Sequence, residues 1–131
     1  MSKHLNIAVI PARGGSKRIP NKNIKIFCGK PIIYWPIKIA KESGLFDRII
    51  ISTDDEKISE LAISFGAEVP FIRPNTLSDD FTPISDVIVH SINSIKIEED
   101  SHINSVCCIL PTAALLRSKD LIQGYQIFKK D

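Results

Sequence analysis

Four short apolar runs, each followed by a stretch of helical period, set the strongest limit on how this chain can fold. The runs lie at residues 7–11, 48–53, 68–72 and 105–110, and most are rich in β-branched residues. Helical segments are predicted over residues 31–43, 54–65, 83–95 and 119–129. The second carries Ile58, Leu61, Ala62 and Phe65 on one face, and the third Ile84, Val87, Ile88, Ser91 and Ile95. Pro31 suits a first helical turn, Pro36 should kink or delay that helix, and Gly44 and Gly66 mark helix ends. Strands that alternate with helices are joined by right-handed crossovers, so the expected class is α/β: a Rossmann-like three-layer α/β/α fold with a mostly parallel sheet. Ligands of such sheets sit at the carboxyl ends of the strands. That rule gathers residues 11–30, 53–55, 73–82 and 111–117 around one crevice.

At 131 residues the chain suffices for one domain. No apolar stretch approaches the roughly 20 residues of a membrane helix, and residues 5–11 lack a secretory pattern, so a cytoplasmic location is expected. Cys107 and Cys108 are adjacent and would face opposite sides of a strand, while Cys28 stands alone; this is not the spacing of a zinc site or a disulfide framework. His4, His90 and His102 have no partners at catalytic spacing and read as surface or packing residues, and Tyr34 and Trp35 as helix packing.

The net charge of +2 conceals an uneven distribution. Up to Lys41 there are nine Lys or Arg and no acid; from Glu42 onward there are eight Lys or Arg against fifteen acids. An anionic partner near the N-terminal end follows. Nucleic acid is disfavoured, because the basic residues crowd one Gly-rich loop without interleaved aromatics.

That loop is Pro11-Ala12-Arg13-Gly14-Gly15-Ser16-Lys17-Arg18-Ile19-Pro20-Asn21-Lys22-Asn23. It leaves a strand directly, its glycines allow close backbone approach to an anion, and Arg13, Lys17 and Lys22 bring positive charge. It has neither Walker A spacing nor the pattern G-x-G-x-x-G. The order of its residues, followed by Lys30-Pro31, resembles the signature of the acylneuraminate and pseudaminic acid cytidylyltransferase family, the CMP-nonulosonic acid synthetases. Ser52-Thr53-Asp54-Asp55, Arg73-Pro74 with Leu77 and Asp80, and Pro111-Thr112-Ala113 through Arg117 extend the resemblance along the chain. Residues 27–32 and 77–82 look most like the pseudaminic acid enzymes.

The resemblance implies a nucleotidyltransferase that joins CTP to an acidic nine-carbon sugar, pseudaminic acid in the first place, with Mg²⁺ as cofactor. It implies Arg13 and Lys22 as the catalytic contacts to the phosphates, assisted by Ser16 and Lys17, with Pro11, Ala12, Gly14 and Gly15 forming the nucleotide-binding backbone. Of Lys17 and Arg18, one is expected simply to face solvent. Asn23 would lie near ribose and phosphates. Arg73 would reach the cytosine with its fork of donors, and backbone around Thr82 would complete base recognition; alternatively Arg73 pairs with Asp79 or Asp80. Asp54 and Asp55 read equally as helix caps. The family's metal-binding aspartates and its dimer-forming extension are expected beyond residue 131, so the chain reads as the N-terminal part of one domain, homodimeric at full length. Ala114 departs from the proline of pseudaminic acid enzymes. Two alternatives stay open: a nucleotide-binding module without catalysis, and a cytidylyltransferase for sialic or legionaminic acid.

Overall fold

The computed structural model describes residues 3–14, 24–78, 82–95, 97–111 and 116–130. Three parallel strands form its sheet: β1 (Lys3–Pro11), β4 (Arg48–Ser52) and β5 (Ser101–Cys108), in the order β4-β1-β5. Around them lie α1 (Tyr34–Ser43), α2 (Glu56–Ser64), α3 (Ile84–Ser94) and α4 (Ser118–Lys130).

The central strand β1 is apolar on both sides because both faces of the sheet are covered. Its alternation divides the core in two. Ala8 and Ile10 join Ile33, Ile37, Ala40, Ile51, Ile58 and Ala62 beneath α1 and α2, with Leu121 of α4 against the same cluster. Ile7 and Val9 join Ile50, packed by Ile88 of α3 and Ile95 just past its end on the other face. Each wholly buried isoleucine of this core contributes roughly 1.5–3 kcal/mol. The three-layer α/β/α class expected from the sequence is what the chain adopts.

Several element bounds differ from the sequence reading. Pro31 does not open α1. It belongs to a small antiparallel hairpin of β2 (Ile26–Phe27) and β3 (Lys30–Pro31), inside what reads as one long polar loop. Cys28 and Gly29 have φ of 50° and 83°, the paired positive values of a two-residue hairpin turn that matches strand twist. The indole Nε1 of Trp35 donates to the Phe27 carbonyl at 2.8 Å and ties the hairpin to α1. The helix starts at Tyr34, which leaves Pro36 in the first turn, where an amide N–H has no helical acceptor. This is the delay that Pro36 was expected to impose.

The strand expected at residues 68–72 reduces to one bridge, Glu68 opposite Ile50. Pro70 has no N–H to donate, which prevents a continuous ladder. The segment still runs beside β4: Glu68 N donates to Ile49 O, Ile51 N to Glu68 O, and Arg73 N to Thr53 O. Arg48 clamps it through Nε to Glu68 Oε2 at 3.0 Å and Nη2 to Oε1 at 2.8 Å, which raises the Arg48 pKa above its ordinary value.

β5 begins four residues earlier than residues 105–110 suggested and carries a bulge. Leu5 is opposite Ile103 but Asn6 is opposite Ser105, leaving Asn104 as the extra residue. The Asn6 side chain organises it, its Oδ1 accepting from Ser105 Oγ at 2.6 Å and Asn104 Nδ2 at 2.9 Å.

Candidate functional site at the carboxyl end of the sheet

After β4 and the Glu68 segment, the chain crosses back through α3 to place β5 on the opposite side of β1. The strand order reverses between β1 and β5, and the crevice outside that reversal is where open α/β sheets bind ligands.

Three of the four segments grouped from the sequence meet there, and Ser52 joins them. Its carbonyl oxygen accepts from Ala12 N at 2.8 Å and from Arg73 Nη2 at 2.8 Å, using both lone pairs. Its hydroxyl accepts from Arg73 Nε at 3.1 Å. Ser52 and Thr53 are both buried. Sequence reasoning named Ser52 only as part of a motif; its place at the carboxyl end of a strand was the available signal.

Arg73 is 4% exposed. Besides its two bonds to Ser52, its Nη1 donates to Leu77 O at 3.3 Å, where Asn75–Leu77 forms a single 3-10 turn. Three of five guanidinium N–H groups thus serve the protein's own backbone and hydroxyl. Burial pulls the Arg73 pKa down, with nearby Asp54 opposing and Arg13 adding to the fall. The alternative partners Asp79 and Asp80 lie outside the described residues. Thr82 is half-buried, and its hydroxyl donates to Thr76 O at 3.3 Å, on the turn that Arg73 holds.

From the first loop, Pro11 ends β1 opposite Ser52, Ala12 is buried, and Arg13 and Gly14 are half-buried at the mouth. Gly15, Ser16, Lys17, Lys22 and Asn23 lie outside the described residues. The two acids after Thr53 divide their work. Asp55 caps α2, accepting from Ile58 N at 3.0 Å. Asp54 Oδ1 instead accepts from Gly14 N at 2.8 Å, across forty residues of sequence. Of the fourth segment, Thr112 and Ala113 lie outside the described residues, and Arg117 pairs with Asp120 at the start of α4. An apolar groove of about 350 Å³ between β5 and α4, bordered by Val106, Leu121, Tyr125 and Phe128, includes none of the residues predicted for the site.

A strand end whose next residues, Ala12 to Gly14, are held against a second strand end beside a buried arginine has the chemistry to meet an anionic ligand. The sequence profile of the family described as Cytidylyltransferase matches residues 7–130. The chain belongs to the cytidylyltransferase family. It is 45% identical over 123 residues to a pseudaminic acid cytidylyltransferase of Campylobacter jejuni, covering 94% of this chain and 53% of that one. It is 32% identical over 123 residues to a CMP-N,N'-diacetyllegionaminic acid synthase of Legionella pneumophila, with coverage of 94% and 53%. Among solved structures it resembles CMP:2-keto-3-deoxy-manno-octonic acid synthetase complexed with CTP, with a TM-score of 0.77, 22% identity, and coverage of 97% of this chain and 48% of the other. At that identity the likeness speaks for the fold alone. This cytidylyltransferase-family chain spans about half the length of the curated relatives it matches.

Among the described residues no group of three or more His, Cys, Asp or Glu is placed to hold a metal ion, and no helix is long and apolar enough to cross a membrane.

Proposed function

We propose that this chain provides the CTP-binding part of a cytidylyltransferase that activates an acidic nine-carbon sugar, with pseudaminic acid as the favoured substrate. The 45% identity to the pseudaminic acid enzyme carries the choice of sugar. Legionaminic and sialic acids are the competing substrates, since relatives named for them match at lower identity.

In this reading the anomeric hydroxyl of the sugar attacks the α-phosphorus of CTP. A new P–O bond forms, the bond to the β-phosphate oxygen breaks, and pyrophosphate leaves while the hydroxyl proton passes to solvent. Transfers of this kind ask a protein mainly for positioning and charge stabilisation. Arg13, with Lys17 and Lys22, would face the phosphates; Gly15, Ser16 and Asn23 would supply neutral donors, and Gly14, whose one N–H is held by Asp54, would allow close approach of the backbone. Arg73 has already given three donors to Ser52 and Leu77. Its remaining N–H groups and the backbone near Thr82 would face the base.

CTP would enter as its magnesium complex. Among the described residues no set of three or more carboxylate, His or Cys side chains converges to hold that metal. The metal therefore carries no step here.

The test is pyrophosphate release from CTP and Mg²⁺ with pseudaminic, legionaminic or N-acetylneuraminic acid. Release that is fastest with pseudaminic acid supports the reading. CTP binding without release for any sugar favours a nucleotide-binding module, and preference for another sugar overturns the substrate choice.

A further inference from the structure

Asp54 places a negative charge at the mouth of a site read as accepting a polyanion, where it repels the ligand. Helix capping does not account for it, since Asp55 performs that task. Asp54 Oδ1 instead accepts from Gly14 N at 2.8 Å, three residues past the end of β1 at Pro11 and at the start of the basic loop. The turn that carries Asp54 is firmly seated. Thr53 is 2% exposed, its Oγ1 accepts from Asp55 N at 3.1 Å, and its carbonyl accepts from Arg73 N at 2.9 Å. The approach of the two segments is close enough that a Cβ on Gly14 would lie 2.6 Å from both Cβ and Oδ2 of Asp55.

We infer that Asp54 is a positioning residue for the nucleotide: its carboxylate holds the Gly14 amide and so sets where the basic loop departs from the sheet. The ligand side of this inference rests on the CTP-binding reading above. What is required of Asp54 is the acceptor oxygen, and the electrostatic repulsion is the cost of that grip. An asparagine, which keeps an acceptor oxygen at the same reach, therefore retains the function, whereas alanine loses it.

The test combines amide hydrogen exchange at Gly14, read by NMR on the 131-residue chain, with calorimetric CTP titration of wild type, Asp54→Ala and Asp54→Asn. In Asp54→Ala, Gly14 exchange should accelerate and CTP affinity should fall by about tenfold each, the scale of one hydrogen bond to a charged group. Asp54→Asn should stay within about threefold of wild type on both. This rescue, together with an unchanged circular dichroism spectrum, separates positioning from a general loss of fold. Unchanged Gly14 exchange in Asp54→Ala, or CTP affinity that is unchanged or tighter in that variant, would overturn the inference. So would a folded Asp54→Asn that loses affinity like alanine, which also decides the matter if Asp54→Ala does not fold. A wild-type chain that binds no CTP faults the nucleotide reading and the positioning role with it, while the exchange arm still reports whether Asp54 holds the loop.

Discussion

Arg73 Nη2 lies 2.8 Å from the Ser52 carbonyl oxygen, the same oxygen that accepts from Ala12 N at 2.8 Å. One acceptor therefore joins the end of β1, the end of β4 and the segment that leads into the 3-10 turn. Replacing Arg73 by alanine removes three donors from a buried site. The variant should lose roughly 2–3 kcal/mol of stability, measured by urea unfolding. Arg73→Lys should restore little, because an ammonium cannot reproduce the forked geometry. Wild-type stability in the alanine variant would mean that the buried guanidinium does not hold the crevice together.

Gly14→Ala tests the close approach of the loop to α2. Its Cβ would overlap both Cβ and Oδ2 of Asp55, so the backbone must shift; the expected cost is about 1–3 kcal/mol. Because the Asp55 Cβ is itself part of the clash, adding Asp55→Ala should not relieve it. Thermal melts of the single and double variants check this, and full recovery in the double variant would contradict the geometry.

The architecture was legible in the sequence because its strands and helices are strongly patterned: β1 carries the apolar run Ile7-Ala8-Val9-Ile10, β4 carries Ile49-Ile50-Ile51, and α2 and α3 carry clear helical faces. The hairpin at residues 26–31 was hidden, since two-residue strands have no periodicity to read and Cys28 gives no hint of a positive φ. The strand at residues 68–72 was overread because its apolar content outweighed the missing N–H of Pro70. At the site, sequence order located Arg13, Gly14 and Arg73, but not the contacts between distant segments. Nothing local distinguishes Asp54, which reaches Gly14, from Asp55, which caps its own helix.

Ile50 is wholly buried in the β4 strand, packed with Ile7 and Val9 on the α3 face of the sheet. Ile50→Ala should destabilise by roughly 2–5 kcal/mol through lost burial and the cavity left behind. A shift below about 1 kcal/mol in urea unfolding would indicate that this face is not packed as described.

Burial raises the pKa of Cys107 and Cys108 above the usual thiol range, and for Cys108 its neighbour Cys107 adds to the effect. The thiolate is the reactive form, so a raised pKa leaves less of it at a given pH. Alkylation of these two cysteines, followed by peptide mass spectrometry, should have a midpoint at higher pH in the folded chain than in urea. By the same sign, the neutral thiols contribute to stability below the unfolded thiol pKa, and that contribution is lost as pH rises through the folded value. Identical midpoints in folded and unfolded chain would contradict the partial burial of the Cys107 thiol.

CTP binding is proposed for the crevice formed by Arg13, Gly14, Ser52 and Arg73. Calorimetric titration of the folded chain with CTP, UTP and ATP in Mg²⁺, repeated with Arg13→Ala, tests it most directly. CTP should bind tightest, and Arg13→Ala should lose about 1.5–3 kcal/mol of CTP affinity, as for a charged hydrogen bond. Equal affinity for all three nucleotides, or an Arg13→Ala variant that binds CTP as wild type does, would contradict it.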